Sequence, residues 1–275
     1  MVWARELSAT AEKPSIPMSS TTSSRVREVC YKLYWWLQKF IAPHLRDSQY
    51  LYKEVLESYV PNGGRWLELG CGHQILPAWM RSSAQTETAL ISRTDITAGM
   101  DPVFEQVRNH RSIRMKVVAS VEHCPFRSKS FDLLSCNMVM EHVTDPAAAL
   151  SEASRVLKDD GILLFHTPNL RNYQSFLAAL IPQFVKNQLV WLLEGRRDKD
   201  VFPARYQINT ATKIGQIASQ CGFQVIEIQM VNSTAATAML FPLAVFELSL
   251  IRLLEIRMLA RYRTNIITIL KKKRV

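Results

Sequence analysis

Glycine is scarce in this chain, 9 residues in 275, yet Gly63, Gly64, Gly70 and Gly72 crowd into one short stretch. They bracket Arg65-Trp66-Leu67-Glu68-Leu69, a short apolar run that reads as a buried strand, so the strand empties into a Gly70-Cys71-Gly72 turn. Glycines placed this densely mark backbone that must take left-handed dihedrals or come close to something. Whatever this chain folds into must therefore hold that turn at the mouth of a strand.

Downstream, helical and extended stretches alternate. Apolar spacing predicts helices over Ile75 to Ser82, Pro102 to His110, Pro146 to Leu157 and Thr210 to Cys221. Strands are predicted near Thr88 to Thr94, Ile113 to Ala119, Phe131 to Cys136, Ile162 to His166 and Phe223 to Met230, with a last one over Asn265 to Leu270. Two helices open on Asp-Pro, at Asp101-Pro102 and Asp145-Pro146, an acidic cap followed by proline at the first helical position. The alternation implies a doubly wound α/β sheet, in which ligands bind beyond the carboxyl ends of the strands. Ahead of it, residues 1–24 read as a Ser/Thr-rich disordered tail without the apolar core of a signal peptide. Residues 25–60 read as two capping helices, stopped by Pro43 and Pro61, and residues 65–275 as the main domain.

Apolar residues at 48% and charged residues at 21% exclude collagen-like, low-complexity and wholly disordered chains. Five widely spaced cysteines with no CxxC pair imply neither a disulfide framework nor a zinc or other metal site, and fit a reducing, cytoplasmic compartment. The formal charge is +10, and eight basic residues against one acid fall between Arg252 and the C-terminus. Two apolar stretches stand outside the alternation, Phe176 to Leu193 and Thr234 to Ile251. The second carries Pro242 and Glu247, which favours a lid or an interfacial helix, within a helical insertion over 234–260, rather than a membrane span.

The glycine turn differs from a dinucleotide fingerprint, because the third glycine of GxGxxG is replaced by Ile75. Glu68, two residues before the first glycine, would repel a pyrophosphate and attract a cation. At these residues the chain resembles the class I S-adenosylmethionine-dependent methyltransferases, in their small-molecule branch with the ubiquinone-type O-methyltransferases. The resemblance runs through Ala119-Ser120-Val121-Glu122-His123-Cys124-Pro125-Phe126, then Phe131 to Val143 with its Glu141-His142-Val143, and on to Asn169. It implies a mostly parallel seven-stranded Rossmann-like sheet and S-adenosylmethionine as cofactor. It assigns Glu68, Gly70, Cys71 and Gly72 to the methionine part, Asp95 to the ribose hydroxyls, Ser120 and Val121 to the adenine, and Asn137 to a place against the cofactor. Asp95 lies somewhat farther past the turn than the roughly 20 residues usual for such a pair.

The resemblance names no catalytic base. Glu141 and His142 read as fold-stabilising as readily as catalytic, and His73 and His166 as satisfied polar groups at strand ends. The acceptor implied is a small molecule, lipid- or glycan-linked, covered by apolar elements with Tyr31, Tyr34, Trp35, Trp36, Phe176, Trp191, Leu240, Phe241 and Phe246. In the loop Asp200 to Thr210, Arg205 and Tyr206 are candidates for a polar end of the acceptor, against the alternative that the loop only leads into a helix cap. The basic stretch Arg252 to Arg274 suits an anionic membrane surface, making the protein peripheral there. The alternative is that the apolar elements pack as a lid or dimer interface. Nucleic acid is disfavoured: Asn137-Met138-Val139-Met140 replaces the Asn/Asp-Pro-Pro-aromatic box of amine-modifying relatives, and the basic tail lacks interleaved aromatics apart from Tyr262. A non-catalytic module that keeps the fold and binds a partner is the competing reading from another class, and an NAD-dependent oxidoreductase ranks below it.

Overall fold

The computed structural model describes residues 22–77, 80, 83–110, 112–175, 203–233 and 241–274. Two helices come first, α1 (Thr22–Ile41) and α2 (Ser48–Tyr59). Asp47 caps α2 by accepting the Gln49 amide at 2.9 Å. Then follow β1 (Arg65–Leu69), α3 (Ser83–Ser92), β2 (Ile96–Asp101), α4 (Phe104–Asn109), β3 (Met115–Val118) and β4 (Phe131–Asn137). The chain continues with α5 (Pro146–Val156), β5 (Leu157–Pro168), α6 (Ala211–Gln220), β6 (Phe223–Val231), α7 (Phe241–Leu253), a 3₁₀ turn (Arg257–Tyr262) and β7 (Asn265–Lys272). Asp145 caps α5, taking the Ala147 and Ala148 amides, with Pro146 at the first helical position.

The seven strands lie in the order β3-β2-β1-β4-β5-β7-β6. β1 to β5 run parallel, and β7 enters antiparallel between β5 and β6. Strand order reverses between β1 and β4, which opens a crevice at their carboxyl ends. Because successive residues of a strand face opposite sides, β1 feeds two cores. Leu67 and Leu69 join Leu134, Phe165, α5 and α6 on one face, while Trp66 joins Leu133, Leu164, Tyr52 and Leu56 on the other. A third cluster packs α1 on α7 through Tyr34, Ala42, Ala244, Leu248 and Ile251.

Three expectations change. Thr88 to Thr94 is not a strand: residues through Ser92 belong to α3, where Ser83, Glu87 and Leu90 are buried at helical spacing. The second strand is instead Ile96–Asp101. Ile75 to Ser82 is not helical at its described residues. The basic end does not form one patch, because Lys271 and Arg274 pair with Asp160, and the buried Lys272 ammonium donates to the Leu157 carbonyl at 2.7 Å. Those three close the sheet at the amino end of β5, leaving Arg252 in the last turn of α7 and Arg257 and Arg261 on the 3₁₀ turn after it. Residues 1–21, 176–202 and 234–240 lie outside the described residues, and with them the apolar stretch Phe176 to Leu193 and the start of the second. Among the described residues no helix is long and apolar enough to cross a membrane.

Gly70 holds the crevice open at φ +67°, and a Cβ there would sit 2.3 Å from Val139 Cγ2. Gly70→Ala is expected to lower the unfolding free energy by about 1–3 kcal/mol. Adding Val139→Ala should recover part of it. Chemical denaturation checks this, and a Gly70→Ala protein as stable as wild type would refute the packing argument.

Candidate functional site

The site is assembled where β1, β2 and β4 end. Gly70 and Gly72 both take left-handed dihedrals, at φ +67° and +52°. The amides of Gly70 and Cys71 donate to the Met100 carbonyl at 2.7 and 3.0 Å, which pins the turn to the end of β2. Gly99 completes the fit from within β2: a Cβ there would meet Ile113 Cδ1 at 2.7 Å and Cys71 Sγ at 3.0 Å. Sequence reasoning passed over Gly99, although glycine inside a strand is itself a sign of close backbone approach.

Asp101, the last residue of β2, accepts the Gly72 amide at 3.2 Å and the Val103 amide at 2.9 Å. It is the acid that closes the second strand. Asp95, expected in that place, sits before β2 at the opposite end of the sheet, where it accepts the Gly64 amide at 2.8 Å. The error follows from the misplaced strand. Nor does Asp101-Pro102 open a helix: α4 starts at Phe104 with Val103 at its N-cap, and Asp101 ends β2 instead.

Glu68 is buried, and its carboxyl accepts the Ser135 hydroxyl, which in turn accepts the Trp66 indole N–H at 2.6 Å. Burial pushes its pKa up to about 8, against the opposing Ser135 hydrogen bond and reinforced by Glu87. The Cys71 thiol is pushed up to about 12 by burial and by the acids Glu68 and Asp101, so it is no nucleophile at neutral pH. Ser120 and Val121 lie in the turn after β3, which is tied to β2 by the Ala119 amide donating to the Asp101 carbonyl at 3.2 Å. Val121 is buried in the core, and the Ser120 hydroxyl oxygen accepts the Glu122 amide at 3.3 Å.

Asn137 ends β4 and joins a chain of side chains. Its Nδ2 donates to Gln49 of α2 at 2.9 Å, and its Oδ1 accepts His166 Nδ1–H at 2.9 Å. On the far side of the ring, Asn265 Nδ2 donates to His166 Nε2 at 2.9 Å and also lies 2.9 Å from Ser48 Oγ. Both ring nitrogens are therefore used. The ring stacks on Tyr52 and is fully buried, and burial drives its pKa down to about 3. His166 is thus a satisfied polar group rather than a base.

Glu141 likewise serves the fold. Its carboxylate accepts the Thr167 hydroxyl at 3.0 Å, and its carbonyl accepts the Arg205 and Tyr206 amides at 2.7 and 3.0 Å. Glu141 lies four residues beyond Asn137, so these bonds bring Arg205 and Tyr206 to the carboxyl end of the sheet, with Tyr206 held at φ +52°. Burial and the Glu141 charge raise the Tyr206 pKa. His142 keeps 32% of its side chain exposed, 3.9 Å from Glu141.

A doubly wound sheet with a glycine turn after β1, a buried acid two residues before it and an acid closing β2 defines a class I methyltransferase-type site. The family model described as a methyltransferase domain matches residues 44–228, and the chain belongs to that family. S-adenosylmethionine is the cofactor that goes with it. The chain is similar to a ubiquinone biosynthesis O-methyltransferase of Neisseria meningitidis serogroup C, 29% identical over 156 residues, covering 54% of this chain and 62% of that protein. The match thus spans less than two thirds of such relatives. Among solved structures, a SAM-dependent methyltransferase from Methanosarcina mazei matches with TM-score 0.51 and 15% identity, over 80% of this chain and 97% of that one. The [4+2]-cyclase SpnF matches with TM-score 0.52 and 14% identity, over 95% and 99%. At these identities the structures attest the fold alone.

A histidine buried neutral makes stability depend on pH. His166, folded pKa about 3, stays neutral in the fold while the unfolded chain takes up a proton below about 6.5, so its contribution is present above that pH and lost as pH falls toward 3. His110, lowered to about 4 by burial, adds the same sign, whereas Glu68, raised to about 8, favours the fold as pH falls from 8 toward 4.5. The difference in unfolding free energy between wild type and His166→Gln isolates one histidine. It should shrink from pH 7 to pH 5, at up to about 1.4 kcal/mol per pH unit. A difference that stays constant across that range would show that the ring titrates alike in the folded and the unfolded chain, and one that grows toward pH 5 would show that it is charged in the fold.

Proposed function

We propose that this protein transfers the methyl group of S-adenosylmethionine to an apolar small-molecule acceptor, with the cofactor bound by Glu68, the Gly70-Cys71-Gly72 turn, Asp101, Val121 and the backbone around Ser120. The observation that carries this is the junction of Asp101 with the turn, where one carboxylate accepts the Gly72 amide and still has lone pairs to offer. The residues fit such a cofactor. The positive-φ glycines leave room where a Cβ would intrude, Asp101 suits ribose hydroxyls, and the buried Glu68 carboxyl suits a cationic amino-acid end once ionised. Asn137 takes part by fixing the end of β4, its amide already engaged by Gln49 and His166.

When bound, the cofactor supplies a methyl group already activated as a sulfonium substituent. The protein has to hold the acceptor in line and keep water out. An apolar cavity of about 750 Å³ suits that acceptor. It is lined by Leu170 and Tyr173, on the segment that leaves the carboxyl end of β5, and by Leu250, Leu254, Leu259 and Tyr262, from α7 through the 3₁₀ turn. Arg205 and Tyr206, tethered to Glu141, suit a polar end of the same molecule. The relatives named as ubiquinone biosynthesis O-methyltransferases favour a hydroxyl as the atom methylated.

Thermal unfolding with S-adenosylmethionine, with its demethylated product and with NAD tests the reading. Ligand at about a hundred times its dissociation constant should add roughly 2.7 kcal/mol for the first two and nothing for NAD. Asp101→Ala should abolish the shift and Asp95→Ala should leave it whole. A shift lost equally in both variants would return the ribose role to neither residue, and no shift in the wild type would sink the proposal.

A further inference from the structure

Helix α1 is apolar on two sides. Tyr34, Ile41 and Ala42 turn toward α7. Val29, Leu33, Trp36 and Phe40, at i, i+4, i+7 and i+11, form a second stripe on the other side and are 64%, 38%, 56% and 69% exposed. Helix α7 repeats the pattern: Ala244, Leu248 and Ile251 turn inward, while Leu243, Phe246 and Leu253 point out at 50%, 62% and 48% exposure. The 3₁₀ turn adds Met258, 83% exposed. Large side chains arranged in two outward stripes on a packed helix pair mark an interaction surface, not scattered exposure.

Charge selects the occupant. Lys39 lies on α1, and Arg257 and Arg261 stand exposed on the 3₁₀ turn. The neighbouring acids are already engaged, Glu255 by Arg252 and the buried Glu247 by the Tyr173 hydroxyl at 2.7 Å. A symmetric pairing of two copies would set this face, cations included, against itself, whereas lipid phosphates neutralise it. Trp36 and Phe40, with ring centres 4.8 Å apart, form an aromatic ledge of the kind that settles at headgroup depth. Leu253 belongs both to the outward stripe and to the wall of the apolar cavity, so the cavity opens beside this face.

We propose that the outward stripes of α1 and α7, with Arg257 and Arg261, dock on the surface of an anionic bilayer and present the cavity to molecules held there. This deepens the acceptor reading given above and rests on it for what enters the cavity.

Flotation of the full chain with phosphatidylcholine vesicles, and with vesicles that also contain phosphatidylglycerol, tests it. The protein should float with the anionic vesicles, come off with added salt, and stay behind with the neutral ones. Arg257→Gln with Arg261→Gln should weaken partitioning about thirtyfold, and Trp36→Ala with Phe40→Ala about tenfold or more. The cofactor-induced thermal shift is measured on the same samples. If the shift is intact and nothing floats, docking is overturned and the methyltransferase reading stands. Flotation of a wild type that shows no shift would do the reverse. Sedimentation velocity supplies the last arm: a wild-type dimer that Trp36→Ala with Phe40→Ala dissociates, without flotation, would assign the face to a second copy and overturn the proposal.

Discussion

The contact on which the site depends is the pair of amide hydrogen bonds from Gly70 and Cys71 to the single carbonyl of Met100. It closes the end of β1 onto the end of β2, and it demands a chain that turns left-handed at once on leaving the strand. Only a residue without a side chain does that here, because Val139 from the β4 side fills the space a Cβ would need. Gly99 meets the same demand from below, giving Cys71 and Ile113 a place to pack. The crevice is therefore set from three strands at once, and Asp101 reaches the turn because its own strand ends where the turn is pinned.

The other fixed point is polar and buried. Ser48, Gln49, Asn137, His166 and Asn265 form one chain of hydrogen bonds that ties the start of α2 to the ends of β4, β5 and β7. In a low-dielectric interior each member is costly alone, so the chain holds only in one arrangement, with Nδ1 of His166 carrying the proton. A neutral imidazole with both nitrogens engaged can neither take a proton from an acceptor nor move. What it does is join the start of α2 to the strand ends beside the crevice.

Legibility from sequence followed the range of the signal. The glycine turn, β1, β4, α2 and the Asp-Pro cap of α5 rest on local features, and each stands where those features put it. The second strand was missed because Thr88 to Thr94 offers β-branched residues in a helix with only a narrow buried stripe. The true strand carries Ala98-Gly99 because Cys71 needs the room. Asp101 went unseen for the same reason: one carboxylate oxygen serves the Val103 amide, ahead of α4 and not as its cap, and the other the Gly72 amide. The state of His166 was out of reach, since Asn265 meets it from far along the chain.

The division of the C-terminal charge shows how topology decides what composition leaves open. On paper the basic residues from Arg252 onward form one run. Because β7 crosses the whole sheet antiparallel to β5, its far end is carried away from α7, and Lys271 and Arg274 meet Asp160 while Lys272 is buried against Leu157. These cations close the fold. Those that precede β7 stay with the outward apolar stripes at the other end, where Arg263 turns inward to the Leu254, Met230 and Glu255 carbonyls and Arg257 and Arg261 remain exposed. A surface charge acts on a bilayer only within about a Debye length, roughly 8–10 Å. The attraction available to the α1 and α7 face is therefore set by the few cations beside it, and its strength must come from the apolar side chains as much as from the charge.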